Sequence, residues 1–175
     1  MLQRSVEPEA PAPCEQVVNI DVWKNERVMI VSCAGGTELR WTAAMGREPL
    51  GAKSAIGDLR TPEGHYRIIG GLGPSRFHGF IPIDYPSLED ADRALLEGRL
   101  SDTDHARIAA AHQQGEIPPA DTPIGGDIGI HGEGPRWRGD SEFLDWTYGC
   151  IAISDAQLEF LAERVAVGVP VEIHP

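Results

Sequence analysis

A cysteine and a histidine in the second half of the chain stand where a fold can turn both toward one point. Cys150 follows a glycine, Gly149, and precedes a short apolar run, while His131 ends another apolar run and is followed by Gly132. A thiol at such a junction can attack a carbonyl carbon while an imidazole takes its proton and backbone N–H groups bind the oxyanion. This pattern indicates acyl transfer by a cysteine nucleophile.

The residue types alone do not require catalysis. A single cysteine before an apolar strand is commonly a small buried hydrophobe, and a single histidine is commonly a surface or core residue. A functional Cys150 should have a lowered thiol pKa and should be alkylated faster than Cys14 or Cys33 near neutral pH. Cys14 and Cys33 can pair in an oxidising compartment, although we favour Cys33 as a free thiol buried in a strand. The three cysteines are not spaced as a metal site.

Composition restricts the class of protein. The chain has 175 residues, 41% hydrophobic and 24% charged, which is typical of one soluble globular domain. Its net charge of −12 argues against a nucleic-acid partner and against adsorption to an anionic membrane. No apolar run approaches the ~20 residues that span a bilayer. The N-terminus lacks the apolar core of a secretion signal, so the protein is cytoplasmic or its signal has been removed.

The order of elements predicts an α+β, β-rich domain without a βαβ succession. Residues 1–16 are rich in Pro, Glu and Ala and are predicted to be a flexible lead-in to a domain of residues 17–175. Alternating apolar residues predict a hairpin of Val17–Trp23 and residues 27–33. Further strands are predicted at residues 37–44, 65–70, 77–83, 127–131, 150–153 and 169–173. Helices are predicted at residues 90–97 and 102–112 and after Ser154, the last ending at Gly168.

One long segment without periodicity separates the early strands from the rest. Residues 46–64 contain four glycines and predict a long loop, and such loops in compact domains are often functional. Pro82 predicts that its strand lies at a sheet edge or ends early.

Several separated motifs occur in one order along the chain. Residues 132–146 separate His131 from Thr147-Tyr-Gly-Cys, residues 57–66 read GDLRTPEGHY, and residues 168–173 read GVPVEI. These resemble the H-x(14–17)-[S/T]-H-G-C signature, the GD-TPEG-Y segment and the closing G-T-P-V-x-I strand of the L,D-transpeptidase (YkuD-type) catalytic domain family. Residues 125–132 and 145–147 resemble the YafK-like branch of that family.

The resemblance implies a YkuD-like fold, a mixed β-sandwich or barrel with a few short helices. It implies that Cys150 is the nucleophile, that His131 is the general base, and that the carbonyl of Gly132 orients the imidazole. The backbone N–H groups of Tyr148, Gly149 and Cys150 would form the oxyanion hole. The family uses no metal and no cofactor, in keeping with the lack of a ligand cluster in the sequence.

Two positions depart from the family pattern. Tyr148 stands where the family usually has histidine, and Ala152 stands where it usually has arginine or asparagine, which bears on substrate and acceptor preference. Arg60 and Lys53 in the long loop are candidates for binding a substrate carboxylate. Trp146 is predicted to be either a pocket wall or a core residue.

The implied substrate is a peptidoglycan stem peptide. The enzyme would form a thioester with the third-position diamino acid and pass the acyl group to an amine of another stem or of a wall-linked protein. Two alternatives remain: a hydrolase or amidase that trims stems or releases wall-linked protein, and an inactive wall-binding domain. The implied location is the periplasm or cell envelope. Among the other histidines, His78 is the next candidate base, and His174 is expected in solvent.

Overall fold

The structure, a computed structural model, describes residues 13–136 and 145–175. Within these ranges the chain forms eight strands and three α-helices. The strands are β1 (Val17–Trp23), β2 (Val28–Cys33), β3 (Glu38–Thr42), β4 (Gly64–Arg67), β5 (Phe80–Pro82), β6 (Gly129–His131), β7 (Ile151–Ala152) and β8 (Pro170–His174). The helices are α1 (Leu88–Leu96), α2 (Asp102–Gln114) and α3 (Asp155–Arg164). This is the predicted α+β, β-rich architecture.

The strands form two sheets. The first has the order β3-β2-β1-β8-β4, and the second has the order β5-β6-β7. The predicted hairpin of β1 and β2 is confirmed, and β1 also pairs in parallel with β8, the last strand of the chain. Pro82 lies in β5 at the edge of the second sheet, as predicted.

Most strands are shorter than the sequence predicts because the chain changes partners near their ends. β7, for example, contributes only two residues to the ladder with β6. Its Ala152 also bridges to Ala44, just beyond β3, and Ile68 beyond β4 bridges to Ile83 beyond β5. These bridges join the two sheets along their margins.

One core holds the sheets and α3 together. Alternate residues of β1 and β2 point inward, which is why the alternation in sequence predicts these strands. Both sheets and α3 contribute fully buried side chains, including Ile20, Val31, Ile130, Ile151 and Leu158. A smaller core of Ala91, Ala94, Leu100, Ile108 and Ile124 packs α1 against α2.

The capping signals of the helices explain where they begin. Ser154 and Gln157 form the predicted capping box at the start of α3. The predicted end at Gly168 is wrong, because Val165 already has an extended conformation and packs partly buried against the core. The chain therefore leaves the helix at Arg164 to reach β8.

The N-terminal residues that the structure describes are attached to the domain. Cys14 and Cys33 form a disulfide, with a Cα–Cα distance of 5.3 Å. Cys33 is buried in β2, but our preference for a free thiol there is wrong, because antiparallel β1 returns the preceding segment beside it. The Ala34 N–H also donates to the Gln16 carbonyl at 2.8 Å. Residues 1–12 of the predicted lead-in lie outside the described residues.

A buried lysine fastens the long loop to the hairpin. Lys24 lies in the turn between β1 and β2, yet it is only 3% exposed. Its Nζ donates to the carbonyls of Gly51 and Thr61 at 2.7 and 3.0 Å and to Glu63 Oε1 at 2.8 Å. Residues 47–63 form neither helix nor strand, as predicted for the loop, yet these contacts fix two points along it. This fixation matters for the site, since the same loop forms one wall of it.

Candidate active site

Cys150 lies between a glycine and the first residue of β7. Gly149 has a φ of +135°, and a Cβ there would lie 2.7 Å from the Arg60 carbonyl oxygen. A side chain at position 149 is thus excluded by both conformation and space. The Cys150 thiol donates to the Asp127 carbonyl oxygen, with Sγ and O 3.4 Å apart.

The thiol is held in its protonated form. Burial raises the pKa of Cys150 to about 11, with Asp127 adding to the rise and a backbone hydrogen bond from Gly129 and the charge of Lys53 opposing it. Our expectation of a lowered thiol pKa is therefore wrong for the enzyme without substrate. The residue is half-buried, and one side of it faces the pocket described below.

His131 is the last residue of β6 and is only 4% exposed. Its Nδ1 lies 2.6 Å from the Gly132 carbonyl oxygen, and since a carbonyl only accepts, Nδ1 carries the proton and donates it. The other ring nitrogen, Nε2, is then free to accept a proton. Burial lowers the pKa of His131, only partly offset by the Gly132 hydrogen bond, so the imidazole is neutral.

Two aromatic rings hold the imidazole in place. Phe77 stacks on the His131 ring with centroids 4.8 Å apart, and Trp146 meets it edge-on at 5.5 Å. Trp146 is 6% exposed and also lines the pocket described next, so it is both a pocket wall and a buried packing residue.

Cys150 and His131 line one pocket of about 500 Å³. They reach it from neighbouring parallel strands, because His131 in β6 pairs with Ala152 in β7, two residues after the cysteine. The long loop forms a second wall through Arg47, Lys53, Ile56, Gly57 and Leu59. The rest of the lining comes from the segment that leads into β5, from the residues before β6 and from the turn before Cys150. These residues are Ser75, Arg76, Phe77, Phe80, Ala120, Gly125, Gly126, Asp127, Ile128, Trp146, Thr147 and Tyr148.

The turn that precedes Cys150 is fixed by Thr147. Its hydroxyl donates to the Cys150 carbonyl at 2.7 Å and accepts the Gly149 N–H at 3.1 Å. The side chain of Tyr148 is 62% exposed at the pocket, and the Arg47 guanidinium lies 5.0 Å from its ring centroid. Tyr148 therefore does not pack into the domain core.

The two loop cations predicted to meet a carboxylate have different positions. Lys53 lines the pocket, but its ammonium is buried in a contact with Asp58 at 2.9 Å and donates to the Ala55 carbonyl. Burial alone raises the pKa of Asp58, but hydrogen bonds from Lys53 and from backbone N–H groups outweigh it and lower that pKa. Arg60 does not line the pocket; its backbone carbonyl lies under Gly149.

Two exposed arginines that line the pocket, Arg47 and Arg76, were not predicted from the sequence. Nor was Asp155, the first residue of α3, whose Oδ1 accepts the N–H groups of Glu133 and Gly134 at 2.8 and 3.0 Å. Asp155 thereby fixes the turn whose Gly132 carbonyl orients His131. An aspartate in the first turn of a helix gives no sequence signal for such a long-range contact.

The other histidines lie outside the described pocket lining. His78, the next candidate base, pairs with Glu159 at 2.6 Å on the surface. His105 pairs with Asp92, and His112 bonds to the Pro86 carbonyl. His174, expected in solvent, is half-buried and stacks on another ring.

Comparison with known proteins identifies the family. The family model for the L,D-transpeptidase catalytic domain (YkuD) matches residues 17–173. The chain belongs to this family. No protein with a curated description matches the sequence. Across the described residues, no helix is both long and apolar enough to cross a bilayer.

Solved structures share the fold at low sequence identity. An L,D-transpeptidase from Mycobacterium smegmatis has a TM-score of 0.52 and 13% identity, covering 91% of this chain and 59% of that one. Bd1075 from Bdellovibrio bacteriovorus has a TM-score of 0.54 and 18% identity, covering 94% and 53%. The L,D-transpeptidase from Mycobacterium tuberculosis H37Rv has a TM-score of 0.52 and 14% identity, covering 91% and 58%. This chain thus spans less than two thirds of each, and the YkuD-like fold is what they share.

Proposed function

We propose that this protein is a cysteine-dependent peptidoglycan L,D-transpeptidase. The observation that carries the proposal is the pair of Cys150 and His131 in one pocket, with the His131 tautomer set by the Gly132 carbonyl so that Nε2 can accept a proton. The substrate is the stem peptide, attacked at the carbonyl of its third-position diamino acid. We also propose that the protein belongs to the YafK-like branch of the family, which its sequence resembles.

The first half-reaction forms a thioester. Sγ of Cys150 attacks the substrate carbonyl carbon, the thiol proton passes to Nε2 of His131, and backbone N–H groups of Tyr148, Gly149 and Cys150 bind the oxyanion. The Gly149 N–H must then be shared with, or taken from, the Thr147 hydroxyl it now contacts. Collapse of the intermediate breaks the C–N bond, and His131 gives its proton to the departing amine.

The second half-reaction returns the enzyme to its starting state. An acceptor amine attacks the thioester carbonyl and passes a proton to His131, and the proton then returns to the leaving sulfur. When water takes the place of the amine, the same steps trim the stem. The reaction is a transfer when the acceptor site favours an amine, and a hydrolysis when it favours water.

Charged groups around the pocket support a peptide substrate that carries both negatively and positively charged groups. The exposed guanidinium groups of Arg47 and Arg76 are suited to stem carboxylates, in a chain whose net charge is −12. The exposed side chain of Asp127 is suited to the second amine of a diamino acid. Lys53 contributes positive potential from the loop wall while its ammonium stays paired with Asp58.

The disulfide supports a location in the cell envelope. Structural disulfides persist in oxidising compartments, and Cys14–Cys33 is of this kind while Cys150 stays free. We therefore propose the periplasm or envelope, with stem peptides or wall-linked protein as partners.

The test uses a purified stem tetrapeptide, an amine acceptor and mass spectrometry of both enzyme and products. We expect a covalent adduct on the enzyme, release of the terminal residue and a new amide. Cys150→Ser should abolish all three, and His131→Ala should slow turnover by ~10²–10⁴-fold. His105→Ala, a surface histidine outside the pocket, is the matched control and should behave as wild type.

The products also separate the alternatives. A trimmed tripeptide without the amide would identify a hydrolase, which keeps the nucleophile but overturns the transferase assignment. Folded protein that forms neither adduct nor product would support an inactive wall-binding domain and overturn the proposal.

A further inference from the structure

Four potential metal ligands form a row on the solvent face of the first sheet. Asp21 in β1 pairs directly with Glu172 in β8, which pairs directly with His65 in β4. His174 lies two residues beyond Glu172 on the same strand and hence on the same face. No spacing in the sequence predicts this group, because it depends on the parallel pairing of the first strand with the last.

The distances suit a single ion. His174 Nε2 lies 3.0 Å from Asp21 Oδ1, and His65 Nδ1 lies 3.6 Å from Glu172 Oε1. One ligand atom each from Asp21, Glu172 and His174 lie within 4.8 Å of one another. Ligands bound tetrahedrally at ~2.1 Å stand about 3.4 Å apart, which is close to the separations among these atoms.

Neighbouring residues hold two of the ligands in position. The His174 ring stacks on Trp23 with centroids 3.9 Å apart and an interplanar angle of 13°. The Asn19 amide donates to Asp21 Oδ2 at 2.7 Å, which leaves Oδ1 directed at His174. Such outer contacts orient ligands in metal sites. His65, whose side chain is 69% exposed, stands at the open side, where an ion can enter.

We propose that Asp21, Glu172 and His174, with His65 as fourth ligand, bind one Zn²⁺ ion. Two imidazoles and two carboxylates are donors that Zn²⁺ accepts, whereas Mg²⁺ and Ca²⁺ take oxygen ligands. The two carboxylates balance the charge of the ion. On binding, His174 Nε2 presents its lone pair and carries its proton on Nδ1.

The site links three strands and is separate from catalysis. Of the residues described as lining the pocket, none belongs to this group. An ion here ties the edge strand β4 to β8 and β1, and β4 directly continues the long loop. Its effect is therefore on the stability of the sheet: binding to the folded state alone raises the melting temperature with ion concentration.

The experiment is a calorimetric titration of the untagged, disulfide-bonded protein with Zn²⁺ alone, combined with thermal unfolding. A Cys150→Ser background removes the one free thiol among the described residues. We expect one ion per chain and a rise in melting temperature. Asp21→Asn and His174→Gln should each weaken binding by about tenfold or more and abolish the rise. His105→Gln, which removes a comparable histidine–carboxylate pair with Asp92, should change neither.

Three outcomes would overturn the proposal: no binding of Zn²⁺ by the folded protein, binding that the two variants leave unchanged, or binding lost in the His105 control as well. Circular dichroism of each variant without metal establishes that it is folded. The group would then be a set of surface ion pairs only.

Discussion

Before substrate binds, the proposed nucleophile Cys150 and its proposed base His131 are both neutral. The thiol pKa of about 11 and an imidazole pKa below its usual 6.5 separate the two groups widely. Moving the proton from Cys150 to His131 in the free protein is therefore unfavourable. In the proposed mechanism, proton transfer therefore accompanies attack on the substrate carbonyl, where negative charge passes from sulfur to an oxygen that N–H groups can bind.

The raised pKa predicts a specific alkylation profile. The reaction of Cys150 with iodoacetamide should accelerate with pH up to about 11, because only the thiolate reacts. Because the thiol pKa is higher in the folded protein than in the unfolded chain, the free energy of unfolding is unaffected below the ordinary thiol pKa of 9.0. It should fall as pH rises from 9.0 toward about 11. The melting temperature of the wild type should therefore fall over this pH range, and that of Cys150→Ser should not fall for this reason. A rate that levels off below pH 8 would show that the thiol is already ionised.

At the level of secondary structure, three elements combine to orient His131. β6 carries the residue, the segment before β5 supplies Phe77, and α3 supplies Asp155, which holds the turn after the histidine. The orientation of the imidazole thus depends on contacts between distant parts of the chain.

We predict that Asp155→Ala reduces kcat by about tenfold or more with a smaller effect on KM, because a loosened turn misplaces the base more than it disturbs substrate contacts. Asp155→Asn retains an oxygen that can accept the same N–H groups and should recover most of the rate. Glu159→Gln, on the same helix, should leave kcat unchanged. If Asn and Ala lower kcat equally, the hydrogen bonds to the turn are not what the rate requires.

Local patterns predicted the positions of these elements, but not their contacts. Alternation located β1 and β2, the capping box located α3, and Gly149 indicated the turn before Cys150. Lys24, Arg76 and Asp155 gave no signal, because their roles come from contacts across the fold. The predicted direction of the Cys150 pKa shift was wrong, since the desolvation of the thiol depends on the pocket walls that form only in the folded protein.

At the scale of the whole molecule, the N-terminal segment is held by one covalent link. Cys14 and Cys33 are 19 residues apart in sequence, and Arg164 in α3 donates to the Cys14 carbonyl at 3.0 Å. The disulfide therefore restrains the unfolded chain and attaches the segment to the core margin.

Reduction of this disulfide should lower the free energy of unfolding by about 3 kcal/mol, the value for a loop of this size. The melting temperature should fall by about 6–12 °C for a domain of this length. Scanning calorimetry of the Cys150→Ser variant with and without dithiothreitol measures the change. The Cys14→Ser/Cys33→Ser variant should match the reduced protein and not respond to dithiothreitol. Equal melting temperatures in both states would show that the link contributes nothing to stability.

The protonated state of the thiol also determines how the protein survives oxidation. Thiolates attack peroxide and small disulfides, and almost no Cys150 thiolate is present at neutral pH. The compartment that preserves the Cys14–Cys33 bond would convert a readily ionised cysteine to sulfenic acid or a mixed disulfide. If Cys150 acts as proposed, its thiol stays unreactive between turnovers and becomes reactive only while a substrate carbonyl is present to accept its charge.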